Sequence, residues 1–314
     1  MSIKILDGGL SCDLFLNGNV DKQKMNNDPL WVGRVLLENP EEIRDSHIRF
    51  IEAGSDVIIT GSYQCSIEGF VKHAGLSKED AAKLIGSSAD IAREAISLSN
   101  TTNPVEVAAS ISPYGATLHD LSEYSGTYID SVTSEFLQDF HSVNIDIFLQ
   151  RGVKLFAIET MPALKEAVAA LKNLEKCPEA KAFVSFTTKN GLTTSYGDDF
   201  VHVCKTLSKN NQVIAVGTNC SPAESILVTA NLVKEHLGSH QTFLCYPNQN
   251  FESYFGDQVL NCKGLSYKPL IKSWYKTGLF GFIGGCCMVE PKHIKELKGE
   301  LLKVHNTKND MFLI

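Results

Sequence analysis

Three thiols are the first candidates for chemistry in this chain. Cys220 closes an apolar run and precedes Ser221-Pro222-Ala223-Glu224, while Cys286 and Cys287 close another and precede Glu290-Pro291. Both following segments read as helix starts, the first as a capping box with Pro at the first helical position. A cysteine beside a helix N-terminus is biased toward thiolate by the positive end of the dipole. Three soft anionic donors converging on one point suit Zn2+ and leave a fourth position for a substrate. The competing reading is three buried free thiols, because the spacing is not the compact CxxC pattern of structural zinc. Cys12, Cys65, Cys177, Cys204, Cys245 and Cys262 find no such constellation and read as structural or incidental.

Asp7 and Glu159 form a second candidate set, each at the end of an apolar run. Two carboxylates at one site suit an ammonium group. Gly8 and Gly9 would offer backbone N–H groups to a carboxylate, so together the four would hold the α-amino acid end of a ligand. Helix capping, or buried hydrogen bonds to loop backbone, is the bland reading of the same carboxylates. The opening DGGLSCDL has neither the Lys-Ser/Thr of a phosphate loop nor GxGxxG, so it gives nucleotide binding little support. His47, His73, His202 and His236 fall in or near helical patterns and read as surface or packing residues.

These residues need elements to carry them. Eight short apolar runs alternate with helical patterns: 4–7, 56–60, 105–111, 154–160, 182–187, 213–219, 242–247 and 279–285. Near-continuous apolar runs are the mark of parallel strands buried on both faces. Helices are expected over 78–98, 130–150, 163–175, 199–208, 223–237, 267–277 and 291–304. Another is expected to start at Asn39-Pro40-Glu41-Glu42, with Asn39 as N-cap, and to stop at Gly54. Eight βα units in one 314-residue chain without linker or repeat predict a single α/β domain, a (β/α)8 TIM barrel over 1–314. A doubly wound open sheet is the rival. In a barrel, the candidate residues all sit at the C-terminal strand ends. The polar connections 115–127 and 248–266 lie on that same face.

Bulk properties narrow the partners. Net charge is −7 with no dense basic run, which argues against nucleic acid or an anionic membrane as the main partner. No apolar run approaches the roughly 18 residues of a membrane span, and the N-terminus does not read as a secretory signal. A cytoplasmic, reducing compartment is expected, with thiols free or metal-bound. Oligomeric state is not legible.

Taken together, DGGLSCDL (7–14), 38–66, SPYGATLHDLSEYSGTY (112–128), FAIETMP (156–162), GTNCSP (217–222), CYPNQ (245–249) and IGGCCMVEP (283–291) resemble the homocysteine S-methyltransferase family. The SPYGA and SEYSGTY stretch is most similar to the branch using S-methylmethionine or S-adenosylmethionine. The resemblance implies a zinc-dependent barrel that methylates homocysteine from a sulfonium donor to give methionine. It implies Cys220, Cys286 and Cys287 as zinc ligands, and Asp7 and Glu159 on the homocysteine amino group, with Gly8 and Gly9 near its carboxylate. Tyr63, Tyr114 and Asn248 match segments lining the mouth. Met288-Val289 stands where the family usually has Arg-Thr, and Ser11-Cys12-Asp13-Leu14 where Ala-Thr-Glu-Leu is common. Two other functions remain open: a zinc-dependent hydrolase on the same barrel, and a non-catalytic zinc- or thiol-binding relative.

Overall fold

A computed structural model describes residues 3–249, 252–255, 258–261 and 266–310. Eight parallel strands run in chain order around one sheet: β1 (Lys4–Ile5), β2 (Val57–Ile59), β3 (Glu106–Ile111), β4 (Leu155–Met161), β5 (Lys181–Phe186), β6 (Val213–Asn219), β7 (Thr242–Tyr246) and β8 (Phe280–Ile283). β8 pairs with β1, with Lys4 opposite Phe282. A parallel bridge between Leu6 and Val57 then joins β1 to β2 and closes the ring. The open-sheet alternative is therefore excluded, and the chain is the (β/α)8 barrel expected.

The apolar runs are continuous because each strand is buried on both sides, with alternate residues facing opposite ways. Leu6, Val57, Ala108, Ala157, Phe183, Ala215, Leu244, Tyr246 and Phe282 pack together inside the barrel. Their neighbours Ala109, Phe156, Val184, Val216, Phe243 and Ile283 belong to the larger core between sheet and helices. Small alanines offset the large rings of Phe183 and Phe282, whose centroids lie 5.6 Å apart. Truncating Phe183 to Ala would leave a void costing roughly 3–5 kcal/mol. Cys65, Cys204 and Cys245 are buried in the outer core, as structural thiols should be; Cys262 lies outside the described residues.

The helices match the sequence reading: Lys78–Leu98 and Tyr267–Thr277 have the expected bounds, Pro291–Asp310 runs longer, and Ser134–Gln150, Leu164–Lys172, Phe200–Leu207 and Ala223–Val233 are shorter. Pro40–Ala53 ends at Gly54 in the left-handed region (φ 114°), yet Asn39 makes no side-chain cap bond. Ala223–Val233 begins after Pro222, not at it. The expected capping box does not form, because the Ser221 hydroxyl donates to Asn219 O and accepts from Thr188 N–H. Short helices at Leu10–Leu16, Lys22–Asn27, Val32–Glu38 and Ile67–Ala74 were not legible. The connection after β3 holds a one-turn helix, Tyr114–Leu118, and a 3-10 turn, Ser122–Tyr124. The connection after β7 contains the antiparallel hairpin Glu252–Phe255 with Gln258–Asn261. Among the described residues, no helix is long and apolar enough to cross a membrane.

Candidate functional site

Cys220, Cys286 and Cys287 arrive from β6 and β8, and their sulfurs all lie within 4.8 Å of one another. Cys220 Sγ is 3.5 Å from Cys287 Sγ. The cluster can hold a metal ion. Its ligand atoms are all sulfur, so the hydrolase reading lacks the His and carboxylate ligands it calls for. Thiols this close do not ionise independently. Hydrogen bonds from Cys286 and Cys287 hold the Cys220 thiol well below the usual range, and the same contacts push the other two up. Tyr124 Oη, 3.3 Å from Cys220 Sγ, is kept protonated by burial and donates to that sulfur.

The loop carrying the paired cysteines is braced from both neighbouring strands. From the β7 side, Cys286 N–H donates to Pro247 O (2.8 Å), Cys287 N–H to Asn248 Oδ1 (3.1 Å), and Gln249 N–H to Cys287 O (2.9 Å). From the β1 side, Gly285 N–H donates to Asp7 O (3.0 Å) and Gly9 N–H to Val289 O (2.9 Å). Gly9 therefore does not offer its N–H to a ligand, as the sequence reading had it. Its glycine is required because a Cβ there would lie 2.6 Å from Cys286 O. Gly284 and Gly285 likewise serve close approach, since a Cβ on Gly285 would meet Val289 Cγ1 at 2.1 Å. The left-handed residue of this turn is Met288 (φ 62°), whose N–H donates to Cys12 Sγ at 3.1 Å. Cys12 is thus part of the brace, which spacing alone did not indicate. Val289 is fully buried. The Met288-Val289 departure therefore places an apolar plug under the cysteines.

Asp7 and Glu159 face one cavity, open at its mouth, whose wall also holds Cys220, Cys286 and Cys287. Asp7 sits where β1 stops pairing with β2, and its Oδ2 accepts the Ile59 N–H at 2.8 Å. Glu159 Oε1 accepts from Ser110 Oγ (2.6 Å) and Oε2 from Tyr246 Oη (3.2 Å). Burial raises both carboxyls, Glu159 to about 7 and Asp7 well above its normal range, and the charge of Glu159 adds to the second shift. Two buried carboxyls in this condition favour a cation between them, which would draw both back toward the ionised form.

Thr160 and Asn219 link the two halves of this cavity. Thr160 N–H donates to Asn219 Oδ1 (2.9 Å), and Asn219 Nδ2 returns a bond to Thr160 Oγ1 (2.8 Å). Glu159 and Cys220, each adjacent in sequence to one partner, are thereby fixed relative to each other. Thr160 (φ 60°) and Cys220 (φ 49°) pay for this in left-handed backbone, roughly 1–3 kcal/mol apiece. The other non-glycine residues with positive φ among those described are Trp31, Gln64, His119, Leu121 and Met288. Strain gathers at the mouth.

A second, outer cavity shares Trp31, Tyr63, Tyr124, Cys220 and Cys287 with the first. Trp31 and Tyr63 meet edge to face, with centroids 6.0 Å apart. Tyr63 Oη is buried without a hydrogen-bond partner. Asn248 Nδ2 is likewise unpartnered, but it lies near enough to Cys220 to favour its thiolate. Tyr114 lines neither cavity. Its ring packs against Tyr128, Phe136 and Phe140, and its N–H donates to Glu166 Oε1 at 2.6 Å. Trp31, Glu123, Tyr124, Thr160, Asn219 and Tyr246 had no assigned role in the sequence reading. An aromatic and a carboxylate adjacent in a long polar connection, Glu123-Tyr124, were the one available signal.

The family model for homocysteine S-methyltransferases matches residues 4–301. Homocysteine S-methyltransferase 2 of Zea mays is 37% identical, over 96% of this chain and 91% of that protein. The betaine-homocysteine S-methyltransferase of Drosophila melanogaster is 32% identical, over 93% of this chain and 92% of that protein. Among solved structures, the metallated form of the homocysteine methyltransferase MmuM from Escherichia coli superposes with a TM-score of 0.81 at 31% identity. That match covers 95% of this chain and 96% of that one.

Proposed function

The chain belongs to the homocysteine S-methyltransferase family, and from that premise we propose a specific reaction. It moves a methyl group from a sulfonium donor, S-methylmethionine or S-adenosylmethionine, to the thiol of L-homocysteine, forming methionine. Cys220, Cys286 and Cys287 hold Zn2+ for this purpose. The observation that carries the reading is the meeting of two cavities at the cysteine trio, one ending in paired carboxyls and the other walled by aromatics.

The donor set fits the metal. Sulfurs about 2.3 Å from a tetrahedral zinc stand roughly 3.8 Å apart, close to the 3.5 Å between Cys220 and Cys287. When bound, zinc supplies the acidity that removes the proton of a substrate thiol and keeps that sulfur nucleophilic. Asp7 and Glu159 take the homocysteine ammonium, with Gly8 and Gly9 close beneath because any side chain there would strike the cysteine loop. Held at that end, the substrate sulfur points to the cysteine corner and toward the outer cavity. Trp31, Tyr63 and Tyr124 line the outer cavity, where an aromatic ring attracts a sulfonium by roughly 0.5–2 kcal/mol. Asn248 holds the Cys287 backbone and leaves an amide N–H beside Cys220. The homocysteine sulfur attacks the methyl carbon, the donor's S–CH3 bond breaks, and its electron pair stays on the departing thioether. No proton donor is needed for a neutral leaving group, so the protein contributes mainly orientation. The free state of all eight described cysteines fits a reducing compartment such as the cytoplasm.

The test is methionine formation by reduced, zinc-loaded protein from homocysteine with each sulfonium donor and with betaine. Turnover with a sulfonium is the expected result. Stoichiometric zinc without methionine from any donor would sink the reading.

A further inference from the structure

We propose that Glu123 is the anionic anchor of the outer cavity, taking the α-ammonium of an amino-acid sulfonium and so selecting such donors over cations that lack an ammonium group. The inference rests on reading that cavity as the donor side.

Glu123 sits on the 3-10 turn Ser122–Tyr124, is only 7% exposed, and lines the outer cavity. Its Oε2 has no hydrogen-bond partner. Among the described residues, no lysine or arginine lines this cavity, and Glu123 is its one carboxylate. A buried carboxylate without a cation is costly unless a ligand brings one. Burial has pushed its carboxyl up to about 7, as expected for such a group waiting for a counter-charge.

Two positive groups on an amino-acid sulfonium could meet it, and the reaction separates them. The sulfonium loses its charge as the methyl leaves. A carboxylate against it would stabilise the ground state more than the transition state and slow the chemistry. Aromatic faces, which attract more weakly, suit the centre that discharges. The ammonium keeps its charge throughout, so an ion pair there binds without opposing the reaction. The sulfonium must lie at the cysteine corner beside Tyr124, whose hydroxyl touches Cys220. Glu123, the residue before it, is placed for the group a short carbon chain away.

Wild type and Glu123→Gln are compared by calorimetric titration with S-methylmethionine and with dimethylsulfonioacetate, a sulfonium carrying a carboxylate but no amino group. Steady-state methyl transfer to homocysteine is measured alongside. The Gln variant should raise Kd and KM for S-methylmethionine by about tenfold or more. Kd for dimethylsulfonioacetate, kcat and the homocysteine KM should stay within about twofold. Glu123→Asp, which keeps the charge, should recover part of the affinity and serves if the Gln variant folds poorly. Unchanged S-methylmethionine affinity in both variants, equal weakening of both sulfoniums, or no S-methylmethionine binding by wild type would overturn the proposal. Wild type that binds S-methylmethionine through Glu123 but transfers no methyl would overturn the methyltransferase reading instead. Active wild type with Glu123-independent binding would do the reverse.

Discussion

The inner and outer cavities share a sulfur corner and the aromatics Trp31, Tyr63 and Tyr124, but their polar groups are carried by different material. The inner one stands on strand ends. Asp7 follows β1, Glu159 lies within β4, Tyr246 ends β7, and each polar contact is made inside the barrel wall. The outer one stands on connections: Trp31 between two short helices, Tyr63 after β2, and Glu123 and Tyr124 on a single 3-10 turn. That turn belongs to a loop tethered by one buried carboxylate. Glu166 accepts from the Tyr114 N–H, the Tyr128 hydroxyl and His141 Nε2. Under the proposed function, the contrast puts homocysteine on the scaffold and the methyl donor against loops. Strand ends cannot change without disturbing the barrel, whereas loops tolerate substitution.

The comparison breaks most severely at the shared corner. Cys220→Ser should lose most bound zinc and reduce methyl transfer by roughly a thousandfold or more, measured by metal analysis and methionine yield. Full zinc retention in both Cys220→Ser and Cys287→Ser would mean that the trio is not the metal site. Next in size is Glu159→Gln, which should raise the homocysteine KM by roughly 10–100-fold, the range for a charged hydrogen bond, and leave the donor KM unchanged. If both KM values rise together, the cavities are not separate. A pH series sharpens the same test. Burial pushes the Glu159 carboxyl up to about 7, and only its ionised form attracts the ammonium. Homocysteine affinity should therefore fall as pH drops below about 7, with a shallower fall in the Gln variant. The smallest effect is expected from Trp31→Leu, a donor KM raised roughly 3–10-fold from the lost cation–π contact, with a smaller rise in the homocysteine KM because Trp31 lines both cavities.

Much of the inner cavity was legible because strand-borne residues announce themselves. An apolar run long enough for one strand, ending in Asp, Glu or Cys, places that residue at the barrel mouth once the fold is known. The outer cavity was hardly legible. Trp31 and Tyr124 look like ordinary aromatics in polar stretches, and Tyr114 was assigned to the mouth although its ring turns back against Phe136 and Phe140. Local signals also misled where a side chain had a better partner. Ser221 gives its hydroxyl to Asn219 and Thr188 instead of capping a helix, since a tertiary hydrogen bond in the interior outweighs a local cap.

The sequence by itself determined the barrel, the three thiols and the two carboxyls, because parallel strands buried on both faces need a hydrophobic pattern no loop imitates. Tertiary structure alone decided which groups meet. It set Cys12 under the Met288 amide, tied Thr160 to Asn219 so that Glu159 and Cys220 hold one geometry, and left Glu123 Oε2 buried without a partner. Those relations join residues far apart in the chain. Their energies come from close approach and desolvation, which exist only after the barrel has closed.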